Sequence, residues 1–230
     1  MNVYLRFIIF IAIDIYIFKN FGKLYGFIGL GIILYRLLNT LGITRSPTIY
    51  KAAFRECRAY LKDYQGSYSN PNAIKEACNL LKSLDLKDFF VVGIFYDKPG
   101  EVPEDKLRSS IGIYRINKGF PEPPTKELEK FCKDNNYYMA DFPSASSIYS
   151  DWEFSNSFTM MMGIMKFYKK LNSSLSDPMF RQTYKLSKEF KPKICIETFK
   201  SESKMEFHVP YVDADKFFVY KKEDDKPKSQ

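Results

Sequence analysis

Two long apolar runs open the chain, FIIFIAIDIYIF over residues 7–18 and LYGFIGLGIILYRLLNTLGI over 24–43, separated by the polar break KNFGK. Both are too apolar to leave in water. A spanning helix needs about 20 mostly apolar residues. The second run meets that length if Arg36 snorkels, whereas the first is short and carries Asp14. One crossing is the simplest arrangement. The alternative is a two-segment hairpin with Lys19 and Lys23 at its bend and Asp14 paired with Arg6 or Lys19. No small-residue cleavage site before a polar start is evident after these runs, so they do not read as a secretory signal. Arg36, Arg45, Lys51, Arg55 and Arg58 follow, against Arg6, Lys19 and Lys23 before, and this bias points the rest of the chain into the cytosol.

Past Pro47 the pattern becomes that of a folded α+β chain. RECRAYLKDY (55–64) reads as a strand, and Asn70-Pro71 opens a helix with Ile74, Cys78 and Leu81 on one face. DFFVVGIFYD (88–97) is apolar on both alternating faces and predicts a central strand, with RSSIGIYRIN (108–117) as its antiparallel neighbour. A helix over Thr125–Asn135 presents Leu128, Phe131 and Cys132 on one side. The second half repeats the order with a strand at 146–154, a helix at 157–171, a short helix begun by Asp177-Pro178, and strands at 193–199 and 203–211. Strand, helix, strand, strand thus occurs twice. Phe158, Met161, Met162, Met165 and Tyr168 form an apolar stripe at helical spacing, expected to pack in the core.

Composition adds bounds. An apolar share of 45% in 230 residues suffices for a real core. The net charge of +8 is concentrated in residues 1–60, which hold eight Lys/Arg and two acids. Basic residues beside a hydrophobic segment favour anionic lipid headgroups over a nucleic-acid stripe. Cys57, Cys78, Cys132 and Cys195 are far apart, and one His completes the set, so neither a zinc site nor a redox pair is encoded. They read as reduced thiols, in keeping with a cytosolic face. No nucleophile–base pair or glycine-rich phosphate loop appears, and a non-enzymatic role without a cofactor is expected.

The blocks VVGIFYDKPGEVPEDKLRSSIGI, FPSASSIYSDWEFSNSF, KPKICIETF and FHVPY match a known pattern in order and spacing. Over roughly residues 50–211 the chain resembles the testis-expressed protein 264 family. That resemblance implies a GyrI-like (SOUL-like) duplicated βαββ domain behind an N-terminal transmembrane helix. The expected division is a membrane anchor at 1–45, as one spanning helix or a short hairpin, and a cytosolic GyrI-like domain at 46–212; the resemblance implies a long disordered tail beyond it, whereas the residues at 213–230 form a short charged tail expected to be disordered. The resemblance further implies attachment to the endoplasmic reticulum membrane and a receptor or adaptor role in selective autophagy of that organelle. The implied partners are ubiquitin-like autophagy modifiers, or an adaptor carrying the aromatic-x-x-aliphatic motif such receptors use. Neither Phe217-Phe218-Val219-Tyr220 nor Tyr220-Lys221-Lys222-Glu223 ends in Leu, Ile or Val, and Phe89 to Val92 fits the motif but lies in an expected core strand.

The family motif residues Tyr96, Asp97, Pro99, Pro103, Asp105, Lys106 and Arg108 read as structural. Two prolines and a glycine fix a long hairpin connection, Asp97 caps its turn, and Arg108 or Lys106 pairs with Glu104 or Asp105. The alternative function is a membrane-anchored binder of amphipathic, cationic or tetrapyrrole molecules. GyrI-like binders resemble one another in having an acid beneath their groove, and Glu197 stands at that position. It shares a strand face with Cys195 and Phe199, and Trp152, Tyr149 and Tyr96 are candidate walls. His208 falls on the opposite strand face from Met205, Phe207 and Val209, together with Glu206. A lone His without a second ligand is weak support for haem.

Overall fold

The computed structural model describes residues 3–68, 72–116, 125–201 and 203–221. Helices α1 (Val3–Phe21) and α2 (Lys23–Thr40) are joined at Gly22, whose φ of 92° permits the sharp reversal. Phe18 meets Phe27 edge-on at 6.3 Å beside the bend, and the Arg36 guanidinium lies 5.5 Å from the Phe10 ring further out. The two helices therefore double back along each other. Among the described residues no helix is long and apolar enough to cross a membrane. The run expected to span at 24–43 contains most of α2, which ends at Thr40, and α1 and α2 form a helical hairpin. The pairing expected for Asp14 lies outside the described side chains.

Eight strands form one antiparallel sheet in the order β1-β6-β8-β7-β3-β4-β2-β5. They are β1 (Tyr50–Phe54), β2 (Cys57–Gln65), β3 (Phe90–Phe95), β4 (Arg108–Ile116), β5 (Tyr138–Phe142), β6 (Ala145–Glu153), β7 (Cys195–Ser201) and β8 (Lys204–Pro210). The two outermost strands, β1 and β5, were not evident in the sequence pattern, and they explain how the sheet curls. Phe54 of β1 sits opposite Ala145 of β6, and three residues on, Cys57 of β2 sits opposite Phe142 of β5. The register is unbroken, so β1–β2 and β5–β6 are two long strands that stay paired through a shared bend. One strand bends at Arg55-Glu56 and the other at Pro143-Ser144, where the missing proline donor suits an interrupted ladder. The Ser144 hydroxyl donates to the Phe54 carbonyl at 3.1 Å and occupies the acceptor the bend leaves over. This ribbon links the two ends of the remaining sheet, which therefore wraps into a half-barrel with a concave side.

Period-two alternation divides the side chains between the two faces. Phe54, Cys57, Ala59, Leu61, Val92, Ile94, Tyr114 and Ile196 line the concave side. The other side is covered by helices. α3 (Asn72–Ser83) and α4 (Lys126–Asp134) cover the first half of the sheet, burying Ala73, Ala77, Leu80, Leu128 and Cys132 against Val91 and Ile113. Thr125 caps α4 by accepting from the Leu128 amide. The expected start of α3 at Asn70-Pro71 and the end of β4 at Asn117 lie outside the described residues. α5 (Ser157–Leu175) and α6 (Pro178–Tyr184) cover the second half, where Phe167 stacks on Phe207 at 4.2 Å.

Of the stripe expected to bury α5, Tyr168 packs on the core and Met162 is half-buried, but the rest faces outward. The core face of the helix is Thr159, Gly163, Phe167, Leu171 and Leu175, while Phe158, Met161 and Met165 are 46%, 50% and 60% exposed. The cause is Gly163. A Cβ there would stand 2.3 Å from Trp152 Cδ1, so the helix approaches the sheet closest at a residue with no side chain. Met161 and Met165 on either side of it are rotated away.

Candidate functional site

The concave side holds a groove built from strand alternation. Asp63 continues the inward face of Cys57, Ala59 and Leu61, β4 supplies Ser110, β5 supplies Tyr138, and Tyr96 follows β3. Asp63 Oδ1 accepts from Ser110 Oγ and from the Tyr138 hydroxyl, both at 2.6 Å, and the Tyr96 hydroxyl donates to Ser110 Oγ at 2.9 Å. Burial raises both tyrosine hydroxyls well above their ordinary range, so they stay protonated donors. The result is a carboxylate set among aromatic rings.

Residues 213–221 lie in this groove. Asp213, with φ 54°, turns the chain into a single 3-10 turn over Ala214–Phe217. Phe217 is fully buried, stacked on Phe142 at 5.3 Å and edge-on to Phe54 at 5.4 Å. Phe218 and Tyr220 pack on Tyr96, with ring centroids at 4.7 and 5.9 Å. The Lys221 amide donates to Asp63 Oδ2 at 2.9 Å, and its ammonium lies 4.5 Å from the Tyr138 ring. The disordered tail expected from 213 onward is thus an ordered occupant as far as Lys221, because Phe217, Val219 and Tyr220 pack into an apolar trough while Phe218, half exposed, covers Tyr96. Residues 222–230, with the rest of Tyr220-Lys221-Lys222-Glu223, lie outside the described residues. The Phe217–Tyr220 stretch is inside the groove. Phe90 to Val92 is in β3, paired on both sides, so neither stretch offers a free strand.

The family motif forms the rim. Asp97 accepts from the Arg108 amide at 2.8 Å and from the Arg108 guanidinium through both carboxylate oxygens, at 2.9 and 2.7 Å. That bidentate pair holds the Asp97 carboxyl below the usual carboxylate range. Arg108 was expected to pair with Glu104 or Asp105. It pairs with Asp97 because the two residues flank the ends of facing strands, whereas Glu104 is turned toward the Ser67 hydroxyl. Pro99 bridges Val102, and Pro103, Asp105 and Lys106 form or adjoin a short 3-10 turn. The outer face of the Arg108 guanidinium lies over Phe218 at 5.3 Å and Tyr220 at 5.8 Å, so the hairpin connection also roofs the occupant.

At the other end of the concave side, His208 is held between Phe54 at 5.1 Å and Tyr149 at 4.8 Å. Its Nδ1 is 3.1 Å from Ser147 Oγ and its Nε2 is 3.7 Å from Glu206. Burial lowers the imidazole below its ordinary value and outweighs the raising effect of Glu206. Burial alone would raise the Glu206 carboxyl, but His208 and Lys200 hold it below the usual range. Both ring nitrogens thus face protein groups. Phe90 and Ile116, from the margin of the concave core, line a cleft of about 470 Å³ with Arg55, Glu56, Lys87 and Asp88.

The expected ligand residues do not converge. Tyr96 and Tyr149 are on the concave side, whereas Glu197, Cys195, Phe199 and Trp152 are on the helix-covered side. One residue of alternation decides this, since Ile196 points inward and its neighbours point out. Glu197 is 4% exposed beneath α5, where it accepts from the Tyr168 hydroxyl at 3.3 Å. Burial pushes its carboxyl up to about 7, and burial with the adjacent Glu197 raises the Cys195 thiol. The Trp152 indole donates to the Thr159 carbonyl at 2.8 Å, a structural bond. The acid against the 213–221 segment is Asp63, while Glu206 faces the other end of the concavity beside His208. The signal for Asp63 was present in the sequence, an ionisable residue in phase with Cys57, Ala59 and Leu61 on an apolar strand face.

No family model and no curated protein matches the chain. Among solved structures it is similar to the EcmrR C-terminal domain, at 10% identity and a TM-score of 0.44 over 71% of this chain and 96% of that one. It is similar to SAV2435 bound to tetraphenylphosphonium, at 8% identity and a TM-score of 0.41 over 71% and 93%. A hydrolase encoded by lin2189 from Listeria innocua gives 10% identity and a TM-score of 0.42 over 74% and 94%. The chain itself is an α+β protein with a curled eight-stranded antiparallel sheet. At such scores the likeness carries no function across.

Proposed function

We propose that the protein is a membrane-attached binder of cationic aromatic small molecules, with the groove around Asp63 as its site and residues 213–221 as the occupant a ligand displaces. One observation carries this reading. The segment seated in the groove offers aromatic rings and a lysine, and the groove meets them with Phe54, Phe142, Tyr96, Tyr138 and a carboxylate. A carboxylate bordered by aromatic faces selects a diffuse cation with apolar substituents. Membrane attachment is assigned to the hairpin, where Ile8, Ile11, Ile15, Phe27, Leu30 and Leu34 are each 43–64% exposed. An apolar surface of that extent on a small hairpin calls for a lipid or protein cover. Among the described residues nothing favours the autophagy-receptor role implied by the family resemblance.

Titration calorimetry with tetraphenylphosphonium, a lipophilic aromatic cation, tests the site on the full chain in detergent. Binding is expected for the native protein and weakened at least about tenfold, the equivalent of about 1.4 kcal/mol, in Asp63→Asn. Equal binding by the two proteins, or none by either the native chain or a Phe217→Ala variant, would remove this reading.

A further inference from the structure

We propose that the exposed face of α5 is a second lipid-contacting surface, which lays the folded domain against an anionic bilayer where the hairpin enters it. The proposal rests on the hairpin being a membrane element and adds to it an orientation and a new surface.

The connection between hairpin and domain is not a free tether. The Lys166 ammonium donates to the carbonyls of Gly42, Ile43 and Arg45 at 2.7, 2.6 and 2.5 Å, which uses all three of its donors. Gly42, with φ +74°, passes so close to Trp152 that a Cβ would stand 2.9 Å from the ring, with Met162 behind it at 3.9 Å. The Arg45 guanidinium lies 4.3 Å from the Trp152 ring and donates to the Glu153 carbonyl at 2.9 Å. Three consecutive anchors therefore fix the exit of α2 onto α5.

Met162 and Lys166, one turn apart, face that exit. Phe158, Met161 and Met165 form the adjoining stripe, with i, i+3, i+7 spacing, and Ile43 of the linker is 43% exposed next to it. Lys169 and Lys170 continue the same helix, both exposed. Lys169, one turn past Met165, prolongs the stripe on the same side, and apolar side chains followed by a lysine are the composition of an interfacial helix. Lipid is the occupant to which the geometry points. The Ile43 carbonyl is held by Lys166 and Gly42 lies beside Met162, so the exposed apolar surface of the hairpin is carried up to α5 at Ile43, and Lys169 complements phosphatidylserine headgroups.

The test is photo-crosslinking of the full native chain in phosphatidylcholine vesicles bearing a diazirine on the acyl chain, with and without phosphatidylserine, read by peptide mass mapping. Adducts are expected on the hairpin and on 157–166, the latter increasing with phosphatidylserine. A chain carrying Phe158→Ser, Met161→Ser and Met165→Ser, all surface positions, is expected to keep the hairpin adducts and lose those on α5. Adducts confined to the hairpin, or α5 adducts undiminished in the triple variant, overturn the proposal and leave hairpin attachment standing. Absence of adducts from both segments overturns the membrane reading as well.

Discussion

Phe217→Ala separates a groove filled by a displaceable segment from a groove that is simply part of the core. Phe217 has no exposed surface and makes two ring contacts, at 5.3 and 5.4 Å. Burying a phenylalanine contributes about 1.5–3 kcal/mol, and each aromatic pair adds about 0.5–1.5 kcal/mol. Truncation at such a site costs about 3–5 kcal/mol. If the segment releases independently, that loss falls on its closed state and not on the sheet. Closure then weakens by roughly two to three and a half decades at about 1.4 kcal/mol per tenfold. A ligand that binds only the open groove gains affinity by the same factor, until the segment is mostly open already. Tetraphenylphosphonium is therefore expected to bind Phe217→Ala at least about tenfold tighter than the native chain by calorimetry, with cooperative thermal unfolding retained. Unchanged or weaker binding by a folded Phe217→Ala protein would refute the displacement mechanism.

Other consequences concern the frame of the site. Glu197, whose carboxyl is raised to about 7 from 4.5, favours the folded state below the unfolded value, and that contribution is lost as pH rises through 7. Glu197→Gln is expected to gain on the native protein by about 3 kcal/mol between pH 4.5 and 8, seen as converging and then crossing melting curves; parallel curves would show that Glu197 titrates normally. Arg108→Lys loses the bidentate contact to Asp97 and the flat roof over Phe218, so it is expected to cost about 1.5–3 kcal/mol in denaturant and to speed amide exchange at 217–221. Exchange unchanged at those residues would detach the rim from the occupant. Gly163→Ala gains helix propensity of about 1 kcal/mol but drives a methyl into Trp152, and net destabilisation is expected. A rise in melting temperature would contradict the close helix–sheet approach.

The hydrophobic pattern was enough to locate the six longer strands and α3 to α6, because alternation or helical spacing records each of them, although the buried face of α5 was misassigned. It was not enough for β1 and β5. Tyr50–Phe54 and Tyr138–Phe142 bury little beyond one end, with burial running from exposed to buried along each, and their place is fixed by partners far away in sequence. Without them the wrapping of the sheet, and hence the concave groove, could not be read. The same gap misplaced the candidate acid. Glu197 and Glu206 lie in neighbouring strands and look alike in sequence, yet one is roofed by α5 and the other points into the concavity. Side chains too small to register as apolar, Thr159 and Gly163, define the true core face of α5, which is why its methionines were assigned inward. The segment 213–221 was obscured by its charged surroundings, although Phe217-Phe218-Val219-Tyr220 is too apolar for a typical disordered stretch.

The occupied groove is tested most directly by nuclear Overhauser contacts between the Phe217 ring and those of Phe54 and Phe142 in the full chain, recorded before and after saturation with tetraphenylphosphonium. The contacts are predicted in the free protein and should vanish when the cation binds. Contacts missing from the free protein, or undiminished at saturation, would contradict a groove held closed by its own chain.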